Sequence, residues 1–186
     1  MPQPLPLPPW LNALDRASER FGHALSWLML AMLLIEFAVV VLRYAVGINS
    51  ILMQEMVMYM HATLFMLAAA YTLRADGHVR VDIVYRRLTP RRQALINIFG
   101  IVTLLIPVMI FIIAASAGYV GKSWQILETS ANYGGIPGVF LLKTLIPAFA
   151  VMMLAQGGIE IVRNAYIVAG RISATTENDN HLEERV

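Results

Sequence analysis

The run Leu73-Arg-Ala-Asp-Gly-His-Val-Arg-Val-Asp-Ile-Val-Tyr-Arg-Arg-Leu-Thr-Pro-Arg-Arg92 separates two apolar stretches that are too long for a water-soluble chain. It holds six of the chain's 14 basic residues: Arg74, Arg80, Arg86, Arg87, Arg91 and Arg92. Lys and Arg beside a membrane span resist translocation and stay on the cytoplasmic side. The run therefore reads as a cytoplasmic loop, and it orients the spans on either side of it.

Working outward, the chain of 186 residues is 58% hydrophobic and 14% charged, where a soluble domain would carry about a quarter charged residues. Crossing the hydrocarbon takes about 20 apolar residues in a helix. Four windows meet that length, Ala24–Val46, Ile51–Leu73, Ala94–Val120 and Phe140–Val168. They are continuous rather than broken by turn residues every few positions, which disfavours a β-barrel. The expected fold is an all-α integral membrane protein of four transmembrane helices, with residues 24–168 as the membrane domain.

Charge distribution completes the topology. Arg16 and Arg20 precede the first window, while Arg163, Arg171 and Arg185 lie at or beyond the end of the fourth. The opposite side holds mainly Arg43, Lys122 and Lys143. Both termini are expected in the cytoplasm. Membrane topology accounts for the basic loop, so no nucleic-acid partner is needed.

The N-terminus Met1-Pro-Gln-Pro-Leu-Pro-Leu-Pro-Pro-Trp10 lacks a basic n-region and is not read as a secretory signal. Its prolines favour an extended arm, and residues 1–23 are read as arm plus lead-in. Leu11–Phe21 suits a short amphipathic piece at the membrane surface before the first span. A second interfacial helix is expected where Val81, Val84, Tyr85 and Leu88 fall at i, i+3, i+4, i+7. It would lay Arg80, Arg86 and Arg87, with Arg91 and Arg92 beyond, against lipid phosphates. Gly47-Ile-Asn-Ser50 makes a tight turn with Asn49 or Ser50 capping the second helix, and Thr89-Pro90 reads as the start of the third. Pro107 and Pro147 predict bends, and Ala114-Ala-Ser-Ala-Gly118 offers small residues for close helix approach. Residues 169–186 form a polar tail, expected to be disordered.

Few residues invite chemistry. Glu36 lies mid-span, where a charge costs roughly 2.5–3.5 kcal/mol. Counting from the turn at about 1.5 Å per residue puts His61 at the same depth on the next helix. The pair reads as a proton or ion relay, as helix–helix adhesion, or as a contact with another subunit. The same count sets Arg43 against Glu55 as a structural ion pair. Lys143 can reach Glu128 or headgroups, and Glu160 and Arg163 are spaced to pair.

Other chemistries lack their residues. The chain has no cysteine. Gly121-Lys-Ser123 matches the end of a Walker A loop, but Ser116 stands in place of its first glycine. Haem ligation would need two His at matched depth, and only His61 lies inside a span. Asp76, His78 and Asp82 read as a solvated turn rather than a metal site. Neither catalysis nor a cofactor is indicated.

Further features recur in order along the chain. The first helix ends in Val41-Leu-Arg43-Tyr44 and the second opens with Gln54-Glu55. Asp76-Gly-His78-Val-Arg80-Val-Asp82 and Pro90-Arg-Arg92 follow. Ser123-Trp124, Glu128-Thr-Ser130, Gly135-Ile-Pro137, and Lys143 with Pro147 complete the series. In that order, from about Ala24 to Ala165, the sequence resembles the small membrane subunit (DctQ type) of tripartite ATP-independent periplasmic, or TRAP, transporters. It departs at the start of the second span: many members carry Trp and two adjacent acids, whereas Met53-Gln54 here precede a single Glu55. That departure resembles the subgroup labelled for mannitol or chloroaromatic compounds and related to 2-oxo-acid systems.

The resemblance implies a multi-pass protein of the bacterial inner membrane and no enzymatic activity. Its partners would be a large permease subunit that moves an organic acid with a sodium gradient and a periplasmic solute-binding protein that delivers it. This chain would be the scaffold. The receptor would dock on Trp124–Gly138, with Trp124, Glu128 and Tyr133 at or near the contact. The alternative is a stand-alone channel or proton-conducting subunit using Glu36 and His61.

Overall fold

Long apolar runs unbroken by turn residues form helices because lipid offers the backbone no hydrogen-bonding partner. A computed structural model of the chain describes residues 9–75, 85 and 88–170. Among them every regular element is helical. Helix α1 is Pro9–Val41, extended by a π-helical turn Leu42–Val46 that closes on Gly47. Helix α2 is Ile51–Arg74. Helix α3, Pro90–Gly100, runs through a second π-helical turn, Ile101–Leu105, into α4, Ile106–Gln125. Helix α5 is Val139–Val168. Four stretches are long and apolar enough to cross a membrane: Arg16–Val46, Ile51–Arg74, Pro90–Gln125 and Val139–Val168.

The helix starts follow their sequence signals. Ser50 caps α2 by accepting from the Met53 N–H at 3.4 Å, and Thr89 precedes Pro90 at the first position of α3. The π turn at 101–105 sits just before Pro107, which has no N–H for the carbonyl four residues earlier. Pro147 lies within α5.

Two expectations are corrected. Residues 11–21 are not a separate lead-in: α1 runs from Pro9 without a break, since nothing between the amphipathic turns and the apolar run stops a helix. The small residues Ala114, Ala115, Ala117 and Gly118 are exposed and only Ser116 is buried, so little of that stretch is used in packing within the chain. The interfacial helix expected around 81–88 lies outside the described residues except for Tyr85 and Leu88. Arg80, Arg86, Arg87, the first eight residues and the tail from 171 lie outside them too.

Helix α1 packs on α2, α2 on α5, and α5 on α3 and α4. The shared core is small, with Ala70 of α2, Met109 of α4, and Ala150 and Met153 of α5. Alanines at 70 and 150 let the helix axes approach. Gly22 does the same for α1, because a Cβ there would meet the Tyr71 ring at 2.6 Å. Trp27, Phe37, Tyr44, Phe65, Phe99 and Phe111 are exposed, as expected where the surrounding solvent is hydrocarbon. The turn at 47–50 and the segment 126–138 share one end of the bundle, and the start of α3 and the ends of α2 and α5 share the other.

Candidate functional site

Polar side chains gather at these two ends. At the first, α4 stops in a left-handed turn: Leu127 has φ 44°, the Glu128 N–H bonds the Ser123 carbonyl at 3.0 Å, and the Leu127 N–H bonds that of Trp124 at 3.3 Å. This is the Schellman arrangement, in which glycine is the usual residue at the left-handed position. The chain then folds back over the start of α2, where Glu55 is waiting.

Glu55 is 8% exposed and organises the segment. Its carboxylate accepts from the Ser130 hydroxyl, from Asn132 Nδ2 at 3.1 Å and from the Ile136 N–H at 2.6 Å. Three donors converge on one carboxylate, which suits a buried anion that forms no ion pair among the described residues. Gly135 makes the approach possible, because a Cβ there would lie 2.6 Å from both Glu55 oxygens. A hydrogen bond from the Ser130 N–H to the Ile136 carbonyl closes the loop at 3.3 Å.

Glu128 anchors the other side of the segment. Lys143 Nζ lies 2.5 Å from its Oε2 and 4.0 Å from the centre of the Tyr119 ring, a cation–π contact. The Lys143 ammonium holds the Glu128 carboxyl below the usual carboxylate range. Trp124 donates from Nε1 to Thr144 Oγ1 at 2.8 Å and meets Phe140 edge-on at 4.7 Å. Tyr133 makes the tip and is 99% exposed. The result is a fixed loop presenting one aromatic ring.

The opposite end is stitched differently. Gln156, Arg163 and Asn164 of α5 are buried. Ser18 of α1 donates to Gln156 Oε1 at 3.4 Å, and Gln156 Nε2 and Arg163 Nη1 each donate to Glu160 Oε1 at 3.2 Å. Asn97 of α3 donates to Asn164 at 3.2 Å and accepts from the Tyr85 hydroxyl at 3.0 Å. Polar side chains on three helices, Ser18 of α1, Asn97 of α3 and Gln156 and Asn164 of α5, thereby fix their register.

The sequence-derived pairs fare unevenly. Arg43 and Glu55 are not brought together: Arg43 is exposed, and Glu55 is occupied by the loop. Glu36 and His61 share a depth by count, yet both are exposed and no hydrogen bond joins them; the His61 ring lies near Phe65 instead. Counting along the helices gave depth but not rotation. Arg91 and Arg92 stand exposed at the start of α3. Sequence reading missed Ser130, Asn132, Gln156 and Asn164. The i, i+4 spacing of Gln156, Glu160 and Asn164 was a usable signal. Nothing local marked Ser130 and Asn132 as partners of a residue 75 and 77 positions earlier. Among the described residues no group of three His, Cys, Asp or Glu could hold a metal ion.

Four membrane-length helices, with hydrogen-bonded polar clusters at their two ends and a small apolar core between them, define a multi-pass membrane protein. Residues 32–166 match the family described as tripartite ATP-independent periplasmic transporters, DctQ component, and the chain belongs to that family. No curated protein and no solved structure matches it. The family is a transporter component, not an enzyme family, and its tripartite assembly implies a large permease and a periplasmic binding protein as partners.

Proposed function

We propose that this chain is the scaffold of a TRAP transporter of the bacterial inner membrane. In this reading it braces the large permease subunit and offers the 126–138 segment to the solute-loaded periplasmic receptor. The Glu55-centred loop carries the reading. Three hydrogen bonds and a glycine close approach fix a short segment whose aromatic tip faces solvent. A loop held this firmly loses little entropy when a partner docks. Both chain termini then face the cytoplasm, and the work done is ion-gradient-driven, sodium-coupled uptake of an organic acid.

Scaffolding rather than conduction is favoured by the middle of the bundle. Ala70, Met109, Ala150 and Met153 fill it, and Glu36 and His61 turn outward instead of lining an interior path. The test is reconstitution. Liposomes holding this chain alone should show no sodium-driven uptake in the presence of receptor, and those holding it with the large subunit should. Uptake by the chain alone would overturn the scaffold reading and restore the channel alternative.

A further inference from the structure

Helix α1 ends the row of packed helices, covered by α2 along one side. The covered stripe is Leu25 and Val39, with Met32 half-buried between them. Beside it runs a second stripe with the same seven-residue step, Met29, Glu36 and Arg43, all exposed. Seven residues make about two turns, so these three stack along one line. Around them Leu33, Phe37 and Val40 are also exposed.

The stripe is not suited to lipid. Glu36 lies eleven residues before Gly47, about 16 Å along the axis and so close to the middle of a hydrocarbon layer about 30 Å thick. A carboxylate there cannot reach water. Arg43, one turn from the helix end, can extend to the headgroups. Glu36 has no partner among the described residues, and a polar group at such a depth is ordinarily covered by protein. His61 is exposed as well, nine residues before Ala70 and hence about half a turn away from the side of α2 that meets the core.

Building on the scaffold reading, we infer that the Met29–Glu36–Arg43 stripe is where a transmembrane helix of the large permease subunit packs, placing a hydrogen-bond donor or cation opposite Glu36. The chemistry selects this occupant: an acceptor buried at mid-membrane is satisfied by a donor on another membrane helix, which neither lipid nor a soluble receptor supplies. Glu36 would fix the depth of that helix, and the exposed Leu33, Phe37 and Val40 would pack around it.

Because the chain has no cysteine, the site can be mapped in the whole transporter by single substitutions. Val40→Cys on this face and Phe111→Cys on α4, at the far end of the row, would each be treated with a thiol-to-amine membrane cross-linker. Cross-linking to the large subunit from Val40→Cys but not from Phe111→Cys is expected. In parallel, Glu36→Leu should reduce the large subunit recovered with this chain roughly tenfold, the factor of a hydrogen bond to a charged group. Glu36→Gln, which still accepts, should lose less than about twofold on the same scale. Cross-links from Phe111→Cys alone, or normal recovery with Glu36→Leu, would reject the stripe while leaving the scaffold reading intact. Failure of the unsubstituted chain to recover any large subunit would remove that reading, and this inference with it.

Discussion

The two ends of the bundle satisfy buried polar groups in opposite ways. At one end a single carboxylate, Glu55, gathers donors from a loop that arrives from far along the chain. At the other, Gln156 and Asn164 on one helix reach across to Ser18 and Asn97 on two more, and Glu160 ties Gln156 to Arg163 along that helix. The first arrangement shapes a surface, and the second locks helices against sliding. Damage at the first should show in what the protein binds, and damage at the second in whether it stays folded.

Glu55 offers the largest effect. Glu55→Gln keeps the shape but turns a donor toward the Ile136 N–H or the Ser130 and Asn132 donors, so the loop should come away. Receptor needed for half-maximal uptake should rise roughly tenfold, as for loss of a binding hot spot. Gly135→Ala should act the same way and destabilise the segment by about 1–3 kcal/mol through overpacking, seen as faster proteolysis between 126 and 138. Normal receptor dependence in both variants would erase the contrast between the ends.

Asn164→Leu probes the other end. It leaves the half-buried Asn97 amide without its acceptor, which costs about 1 kcal/mol. Thermal unfolding in detergent should shift down while surviving complexes keep their receptor dependence. A shift in receptor dependence with unchanged stability would reverse the assignment.

A smaller effect is expected with pH. The carboxyl of Glu128 is depressed by Lys143, so its contribution is complete above the ordinary carboxylate range and is lost as pH falls through the lowered value. Proteolytic protection of the 126–138 segment should therefore hold at neutral pH and fade under acid, and Lys143→Met should flatten that profile. An acid profile unaltered in Lys143→Met would detach the pair from loop order. Leu127→Gly should do least: it relieves a left-handed backbone at an exposed residue, for a gain of up to about 1 kcal/mol, partly offset by glycine's extra freedom in the unfolded chain. A clear loss of stability would mean that the leucine side chain is needed there.

The same contrast explains what could be read from the sequence. Four apolar windows, the Ser50 cap and the Thr89-Pro90 start are local signals, and the helices follow them. Glu36, Arg43, Glu55 and His61 were legible as polar groups at given depths, but which way each one turns depends on packing that depth counting does not contain. Ser130 and Asn132 look like ordinary loop residues until the chain folds back on Glu55. The continuity of α1 through residues 11–21 was also hidden, because an amphipathic segment and an apolar one join without any stop signal.

The most direct measurement is uptake against receptor concentration in the reconstituted transporter carrying Tyr133→Ala. The residue is 99% exposed and contributes little to the fold, so the membrane complex should assemble in normal yield. The receptor concentration for half-maximal rate should rise roughly fivefold or more, the scale of a truncated aromatic contact, with the maximal rate preserved. An unchanged concentration dependence, with the complex intact, would contradict the proposal that this loop receives the receptor.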